Sequence, residues 1–348
     1  MSARVVLGTA LLGRVIGAGG TVLDGGPAPS GYRRTCSAGV PEPLERIALT
    51  EPFWTGIRAL DGPLALARGA RIGIFGAPGA GKSTLLEELV AGSRADATVV
   101  ALIGERGREA ERWLRRTGPR TSIVCATSDR PAGERLDAAG LAFAQADALR
   151  SRGLHVLLVL DSLARVAAAA RDLAIAQGEP VGRAGFPPSV VARQARLLEC
   201  AGATAAGSIT LVATVLSEGA LEHDPVAEAA RAALDGHVVL SGRLAAAGWF
   251  PAIDLPASAS RTLGDVATPA HRLAASRLRA ALAALDEARD ARSLGLDPGA
   301  GDRLLARAIA AEGRIAAFLR QPGGGADPAE TLMQMTAIAD SLDDGYLQ

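Results

Sequence analysis

A glycine-rich stretch between two apolar segments places the strongest constraint on this chain. Residues 71–86 read RIGIFGAPGAGKSTLL: a short apolar run, a loop, and then a leucine-rich helical pattern. The spacing G-x-x-x-x-G-K-S is matched by Gly76, Gly81, Lys82 and Ser83. Such a loop between a strand and a helix presents successive backbone N–H groups to phosphate oxygens. The stretch therefore predicts an α/β fold built around a P-loop.

Each residue type in this loop has a chemical role. We expect the positive end of the following helix to attract phosphates, Lys82 to reach the β- and γ-phosphates of a nucleotide, and the Ser83 hydroxyl to bind Mg²⁺. Lys82 is also the only lysine among the 37 Lys and Arg residues. Its ammonium is a compact point charge on a flexible stem, unlike the planar guanidinium of the arginines, which supports a specific role at this position. The predicted phosphate-binding residues are Gly76, Ala77, Pro78, Gly79, Ala80, Gly81, Lys82, Ser83 and Thr84.

Composition argues against several classes of protein. The formal net charge is zero, which disfavours a dedicated nucleic-acid-binding protein, and no basic, aromatic-rich module precedes the P-loop as a single-strand-binding helicase would require. Cys36, Cys125 and Cys200 are few and far apart, which indicates a reducing cytosol. We find no signal peptide and no window approaching ~20 unbroken apolar residues, so we expect any membrane association to be peripheral and to run through partners.

Strand-like and helical segments alternate around the P-loop. Strands are predicted at 71–75, 98–103, 122–125, 155–160, 209–216 and 238–240. Helices are predicted after the P-loop and at 108–116, 134–150, 165–177 and 190–200. This alternation predicts a mainly parallel sheet covered by helices on both faces.

The pattern changes near both ends of the chain. Residues 1–45 are punctuated by Gly and Pro and are predicted to be a linker or small β structure. Beyond Thr268 the segments 271–293, 301–319 and 328–341 are helical with no strand between them. We therefore expect a catalytic core at 46–267 and a small all-α domain at 268–348.

Acidic residues follow two of the predicted strands. Asp161 directly follows the apolar run 157–160. A Walker B carboxylate, which helps hold Mg²⁺, has the same position after a buried strand. Glu105 follows strand 98–103, where a carboxylate could polarise and orient an attacking water. Alternatively, Asp161 caps a helix and residues 104–109 form a solvated charged run. The P-loop earlier in the chain favours the catalytic interpretation, with a weaker role for Arg106.

Six ordered motifs together resemble the ATPases of bacterial type III secretion systems. This family includes the flagellar export and injectisome ATPases and is similar to the catalytic subunit of rotary ATP synthases. The motifs are GERGRE at 104–109, ATSDRPA at 126–132, DSLAR at 161–165, GEP with GFPPS at 178–189, LDGH at 234–237, and FPAID with SASR at 250–261. The likeness runs from about Leu7 to Leu319 and implies a RecA-like core with a C-terminal helical domain.

The resemblance implies roles for individual residues. Glu105 matches the catalytic glutamate, and Arg165 matches an arginine directed at the γ-phosphate. Phe250 falls where the family places an aromatic ring against adenine, with Phe in place of the usual Tyr. Arg261 matches the arginine finger that enters the neighbouring subunit's site, which implies a homohexamer. Without the resemblance, both arginines would be interpreted as ordinary surface or salt-bridged residues.

The chain also departs from the family pattern. It starts near the linker that follows the family's N-terminal β-barrel, so we expect that barrel to be absent and the ring to be weakened. Further departures lie at Gln194–Cys200, at Val212 and Ala213, and at Gly219, Ala220 and Leu221. None of these removes an expected phosphate or Mg²⁺ ligand, although they could alter coupling between sites.

The resemblance implies Mg²⁺-dependent ATP hydrolysis that energises protein export through a type III secretion apparatus. The implied partners are the chain itself, stator and central-stalk proteins, chaperone–cargo complexes and the export gate. The implied location is the cytoplasm, at the inner face of the bacterial inner membrane. Two alternatives stay open: a subunit of a rotary ion-translocating ATPase, and a weakly active, barrel-less paralogue with an assembly or regulatory role.

Overall fold

The computed structural model describes residues 4–115, 118–216, 224–296, 299, 301–323 and 325–343. The strands are β1 (Arg4–Val6), β2 (Val15–Ile16), β3 (Arg33–Thr35), β4 (Arg71–Gly76), β5 (Ala97–Ile103), β6 (Thr121–Ala126), β7 (His155–Asp161), β8 (Gly202–Thr204), β9 (Gly207–Leu216), β10 (Gly236–Leu240) and β11 (Ile253–Ser260). The longer helices of the first part of the chain are α2 (Lys82–Gly92), α3 (Gly107–Leu114), α4 (Ala132–Arg150), α5 (Leu163–Ala176), α6 (Pro188–Glu199) and α7 (Pro225–Ala233), preceded by the short α1 (Arg58–Asp61). The later helices are α8 (Gly242–Ala246), α9 (Leu263–Val266), α10 (Pro269–Glu287), α11 (Arg289–Ser293), α12 (Arg303–Leu319) and α13 (Pro328–Ser341).

The chain forms two compact units. The first, called the sheet unit here, consists of Met1–Leu49, Arg68–Pro78 and Ala95–His237. The second, called the helical unit, consists of Thr50–Ala67, Gly79–Arg94 and Val238–Gln348. Each unit is therefore assembled from segments that are distant in sequence.

The sheet unit is built on parallel strands in the order β4-β9-β7-β5-β6-β2, with β8 antiparallel to β9. Every residue of β5 and β7 is buried; α4 packs against β5, β6 and β7, and α5 packs against β5 and β9. Strands buried on both faces need continuous apolar runs, as observed in the sequence. The predicted parallel sheet is confirmed.

The N-terminal segment contains short strands and is anchored in the sheet unit. Strand β2 pairs in parallel with β6 in the register Val15↔Ile123. The buried amide of Gln145 accepts from the Gly8 N–H at 2.7 Å and donates to the Gly8 carbonyl at 2.9 Å. These bonds satisfy backbone groups that would otherwise be buried without partners.

In the helical unit α10, α12 and α13 pack against one another, α12 and α13 also pack against α1, and α10 contacts β11. Thr268, Asp302 and Asp327 cap the three long helices, since each side chain accepts a backbone N–H in the first turn. The three predicted C-terminal helices are confirmed, with the first divided into α10 and α11. Within the described residues, every helix falls short of the length and apolarity that crossing a bilayer requires.

Several elements were not predicted from the sequence, among them β8, β11 and α7. Strand β11 contains Pro256 and several Ser and Ala residues, a composition that does not favour a strand. Helix α7 begins at Pro225 and is capped by Asp224, which is a recognisable start signal, and β8 is only three residues long. Residues 219–221, where the sequence departs from the family pattern, lie outside the described residues.

Candidate functional site

The sheet brings two acidic residues to its carboxyl edge. Asp161 is the last residue of β7 and pairs with Leu102 of β5, three positions before Glu105. The Asp161 side chain is buried, and the Thr214 hydroxyl on β9 donates to its Oδ1 at 2.6 Å. This bond fixes one carboxylate oxygen, as expected for a carboxylate that must present the other in a set direction.

The backbone around Glu105 is held from both sides. The Gly104 N–H donates to the Ala126 carbonyl at 2.7 Å, and the Ser128 N–H donates to the Glu105 carbonyl at 3.0 Å. Gly104 has φ +72°, and a Cβ there would lie 2.9 Å from Cβ of Arg165. Only glycine allows this approach, which leaves Arg165 Nε 3.9 Å from Glu105 Oε1.

The environment of Glu105 makes it a stronger base than an ordinary carboxylate. Burial, the negative charge of Asp161 and the adjacent Glu109 carboxyl together raise the pKa of Glu105 to about 8, with burial the largest cause. The Arg165 guanidinium opposes these effects and lowers the pKa. A pKa near the operating pH suits a group that exchanges a proton with water.

The P-loop follows β4 directly in the chain. Gly79 and Gly81 have φ of +82° and +93°, in the left-handed region that favours glycine. Gly81 is the N-cap of α2, so Lys82 and Ser83 lie in the first turn, where backbone N–H groups are unsatisfied and the helix dipole is positive. This is the local structure that the motif predicts.

Phe250 lies beside the loop within the helical unit. Its side chain is 44% exposed, and its ring carbons lie 3.7 and 3.9 Å from where a Cβ on Gly81 would stand. A half-exposed aromatic ring next to a phosphate-binding loop offers a flat apolar face to a planar base.

Arg261 is exposed and follows β11 immediately. The hydroxyls of its neighbours Ser260 and Thr262 both donate to the Ala65 carbonyl, at 3.2 and 3.4 Å. The backbone on either side of Arg261 is thus anchored, and no acidic side chain of the described residues forms an ion pair with it.

The donor set suits Mg²⁺. Asp161 supplies a carboxylate and Ser83 a hydroxyl, and Mg²⁺ prefers hard oxygen ligands. Among the described residues no group of three or more His, Cys, Asp or Glu could form a metal cage.

The structure brings together most of the predicted residues of each unit. In the sheet unit Glu105, Asp161 and Arg165 lie close together; in the helical unit Phe250 borders the loop. Arg106 is exposed at the N-terminus of α3. Sequence reasoning missed Thr214, whose signal is a hydroxyl within the apolar residues 211–216 at the carboxyl end of β9.

Comparisons with known proteins extend this picture. A family model described as "ATP synthase alpha/beta family, nucleotide-binding domain" matches residues 56–260, and one described as "T3SS EscN ATPase C-terminal domain" matches residues 267–337. A type 3 secretion system ATPase of Sinorhizobium fredii is 47% identical over 324 residues, covering 91% of this chain and 72% of the relative. The chain belongs to the type III secretion ATPase family.

Other members of the family agree in sequence and in structure. The flagellum-specific ATP synthase of Salmonella typhimurium is 42% identical, over 91% of this chain and 72% of its own length. A solved prototypical ATPase from the type III secretion system of pathogenic bacteria has a TM-score of 0.91 at 40% identity, covering 97% of this chain and 100% of that chain. EscN assembled with its central stalk EscO, from enteropathogenic E. coli, has a TM-score of 0.90 at 39% identity, covering 97% and 83%. The RecA-like fold with a C-terminal helical region is thereby confirmed.

Proposed function

We propose that this chain hydrolyses ATP to ADP and phosphate and thereby energises protein export through a bacterial type III secretion apparatus. The observation that carries the proposal is the proximity of the Glu105 and Asp161 carboxylates at the carboxyl edge of a sheet in which β4, separated from β7 by β9, leads into a P-loop. The similarity to secretion and flagellar ATPases favours export over the rotary and regulatory alternatives.

The phosphates of ATP are held by residues 76–84. Backbone N–H groups of the loop and of the first turn of α2 donate to phosphate oxygens, and the Lys82 ammonium neutralises charge on the β- and γ-phosphates. Ser83 and Asp161 would hold Mg²⁺, which would neutralise the charge that develops on the phosphates. Thr214 keeps the Asp161 carboxylate in one orientation through its 2.6 Å hydrogen bond.

Glu105 acts on the attacking water. As a carboxylate, it accepts a proton from the water while the oxygen attacks the γ-phosphorus, and the β–γ bridging oxygen leaves with ADP. Arg165 balances the negative charge of this region and reaches toward the transferred phosphoryl group. Phe250 stacks on adenine at the other end of the nucleotide.

We propose that the active assembly is a homohexamer in which Arg261 of one subunit completes the neighbouring site. Its anchored backbone and its lack of a described acidic partner leave the guanidinium available to another copy. By analogy with its relatives, the chain works with central-stalk and stator proteins, chaperone–cargo complexes and the export gate. Its proposed location is the cytoplasmic side of the inner membrane, held there through those partners.

The direct test is the substitution Lys82→Ala, with Lys82→Arg as the charge-preserving variant. We expect Lys82→Ala to abolish hydrolysis with the fold intact by circular dichroism, because the loop loses its point charge toward the γ-phosphate. Lys82→Arg should also be severely impaired, since a guanidinium occupies more volume among phosphate oxygens. The same variants should fail to restore secretion in a strain lacking this gene. Near wild-type turnover of Lys82→Ala at saturating Mg·ATP would rule out the assigned site.

A further inference from the structure

Gln321, which follows α12 in the helical unit, joins three segments that are distant in sequence. Its side chain is 6% exposed. Its Nε2 donates to the Gly56 carbonyl at 2.8 Å, and its Oε1 accepts from the Arg58 N–H at 3.0 Å. Its backbone N–H donates to the Phe250 carbonyl at 3.0 Å. Gln321 therefore links the Phe250 carbonyl, through its backbone, to the Gly56 and Arg58 backbone, through its side chain.

The ring of Phe250 depends on such an anchor. Because the side chain is 44% exposed, packing around the ring constrains it less than the attachment of its backbone does. The preceding Trp249 is held from the same segment, since the Arg320 guanidinium lies 4.5 Å from its ring centroid. The end of α12 thus supports both aromatic residues.

The other end of the Gln321 anchor lies against the P-loop helix. Gly56 has φ +76°, and a Cβ there would lie 2.9 Å from the carbonyl of Gly92, the last residue of α2, and 3.0 Å from Cα of Gly325. The Ala326 N–H also donates to the Gly56 carbonyl, at 2.8 Å. The three glycines permit backbone to approach backbone, so the segment carrying Gly56 is fixed relative to α2.

We propose that Gln321 is a positioning residue for the base end of the nucleotide. It holds Phe250 at a fixed distance from the P-loop by binding the Phe250 carbonyl with its backbone and the Gly56–Arg58 segment with its side chain. This inference rests on the proposed function, in which Phe250 stacks on adenine. Gln321, which follows α12, would thus contribute to the affinity for the nucleotide without taking part in the chemistry on the phosphates.

The test separates the base end from the phosphate end of the ligand. Full-length wild type, Gln321→Leu and Phe250→Ala are titrated with Mg·ATP and, separately, with Mg·triphosphate, which has phosphates but no base. We expect Gln321→Leu to weaken ATP binding roughly 10-fold, the size of losing one base–aromatic stack. Triphosphate binding should change less than about twofold, because the loop and its charges are untouched. A general loss of structure would weaken both ligands.

Two further variants sharpen the result. Gln334→Leu is the matched control, since that amide donates to Glu330 within α13 and should leave both affinities unchanged. Gln321→Glu keeps the shape and the acceptor for the Arg58 N–H but loses the donor to Gly56, so we expect an intermediate loss of ATP affinity. It also carries the test if Gln321→Leu does not fold.

The double variant Phe250→Ala/Gln321→Leu decides whether the two residues act together. If Gln321 works through Phe250, the double variant binds ATP no more weakly than Phe250→Ala alone. Additive losses, or equal weakening of ATP and triphosphate in Gln321→Leu, would overturn the inference while leaving the proposed function in place. If Phe250→Ala binds ATP as tightly as wild type, the adenine-stacking assignment fails and the inference with it. If wild type binds neither ligand, the proposed function itself is wrong.

Discussion

Glu105 concentrates the proposed chemistry in one side chain. Glu105→Gln preserves size but removes the proton acceptor, so we expect nucleotide affinity to persist while kcat falls by roughly 10²-fold or more. Measuring the Kd for Mg·ATP beside steady-state turnover separates the two effects. Equal loss of binding and turnover would indicate that Glu105 has a structural role instead.

The pKa of Glu105 also makes a prediction about stability. The folded-state pKa of about 8 lies above the ordinary value of 4.5, so the folded protein binds this proton more tightly than the unfolded chain. The resulting stabilisation is complete below pH 4.5 and is lost as the pH rises through 8. We therefore expect Glu105→Gln to melt at a higher temperature than wild type at pH 8, with the difference shrinking toward pH 5.

The melting measurement is made without nucleotide and with a chelator present, because a bound cation would change the charge around Glu105. Glu111→Gln, an exposed residue of α3, controls for the removal of any acid from this region. A pH-independent gap between wild type and Glu105→Gln would contradict the assigned pKa.

At the scale of elements, the register between β7 and β9 sets the orientation of Asp161. Leu160 pairs with Ala213, which places Asp161 beside Thr214 at the same sheet edge. Thr214→Val keeps the shape but removes the hydroxyl, so the carboxylate loses the bond that orients it. We expect the Mg²⁺ concentration for half-maximal hydrolysis to rise about 10- to 100-fold.

Thr121→Val provides the matched control, because Thr121 is the first residue of β6 and lies at the amino ends of the parallel strands, whereas Asp161 lies at their carboxyl ends. It makes the same chemical change far from the acidic residues and should leave the Mg²⁺ dependence unchanged. An unaltered Mg²⁺ requirement in Thr214→Val would show that the hydrogen bond does not orient a metal ligand.

At the scale of the whole molecule, Arg261 tests assembly and mechanism together. Arg261→Ala should lower kcat by about 10³-fold or more with little change in the affinity of the monomer for ATP, by the size of other arginine-finger effects. Hydrolysis should also rise steeply with protein concentration, since the proposed site is completed by a second subunit.

Mixing inactive subunits is the decisive form of this test. Subunits with Arg261→Ala and subunits with Lys82→Ala should regain partial activity when assembled together, because an intact loop then meets an intact arginine. Mixed oligomers verified by mass that recover nothing, or a dilute monomer that hydrolyses ATP fully without Arg261, would exclude action in trans.

Much of the fold follows from local sequence patterns. The P-loop, the continuous apolar runs of β5 and β7 and the helices beyond Thr268 were predicted correctly, because burial on both faces, helix caps and glycine turns each leave a short-range signal. Glu105 and Asp161 could be singled out because both follow such runs. The roles of Phe250 and Arg261 came only from the family resemblance, since an aromatic or an arginine alone has no specific spacing.

Tertiary structure decided what local patterns could not. Strand β11 forms despite Pro256 and weak strand composition, because a strand of this kind is stabilised by its neighbours more than by its own residues. The bond from Thr214 to Asp161 depends on register between strands more than 50 residues apart, and the pKa of Glu105 depends on burial and on charges from other elements. From the sequence, Gln321 is an ordinary polar residue after a helix, and only the tertiary structure shows that its side-chain amide binds Gly56 and Arg58 while its backbone N–H binds Phe250. The sequence by itself determined which groups we propose to carry the chemistry; the positions and proton affinities of those groups are set by long-range contacts, which leave no periodic signal along the chain.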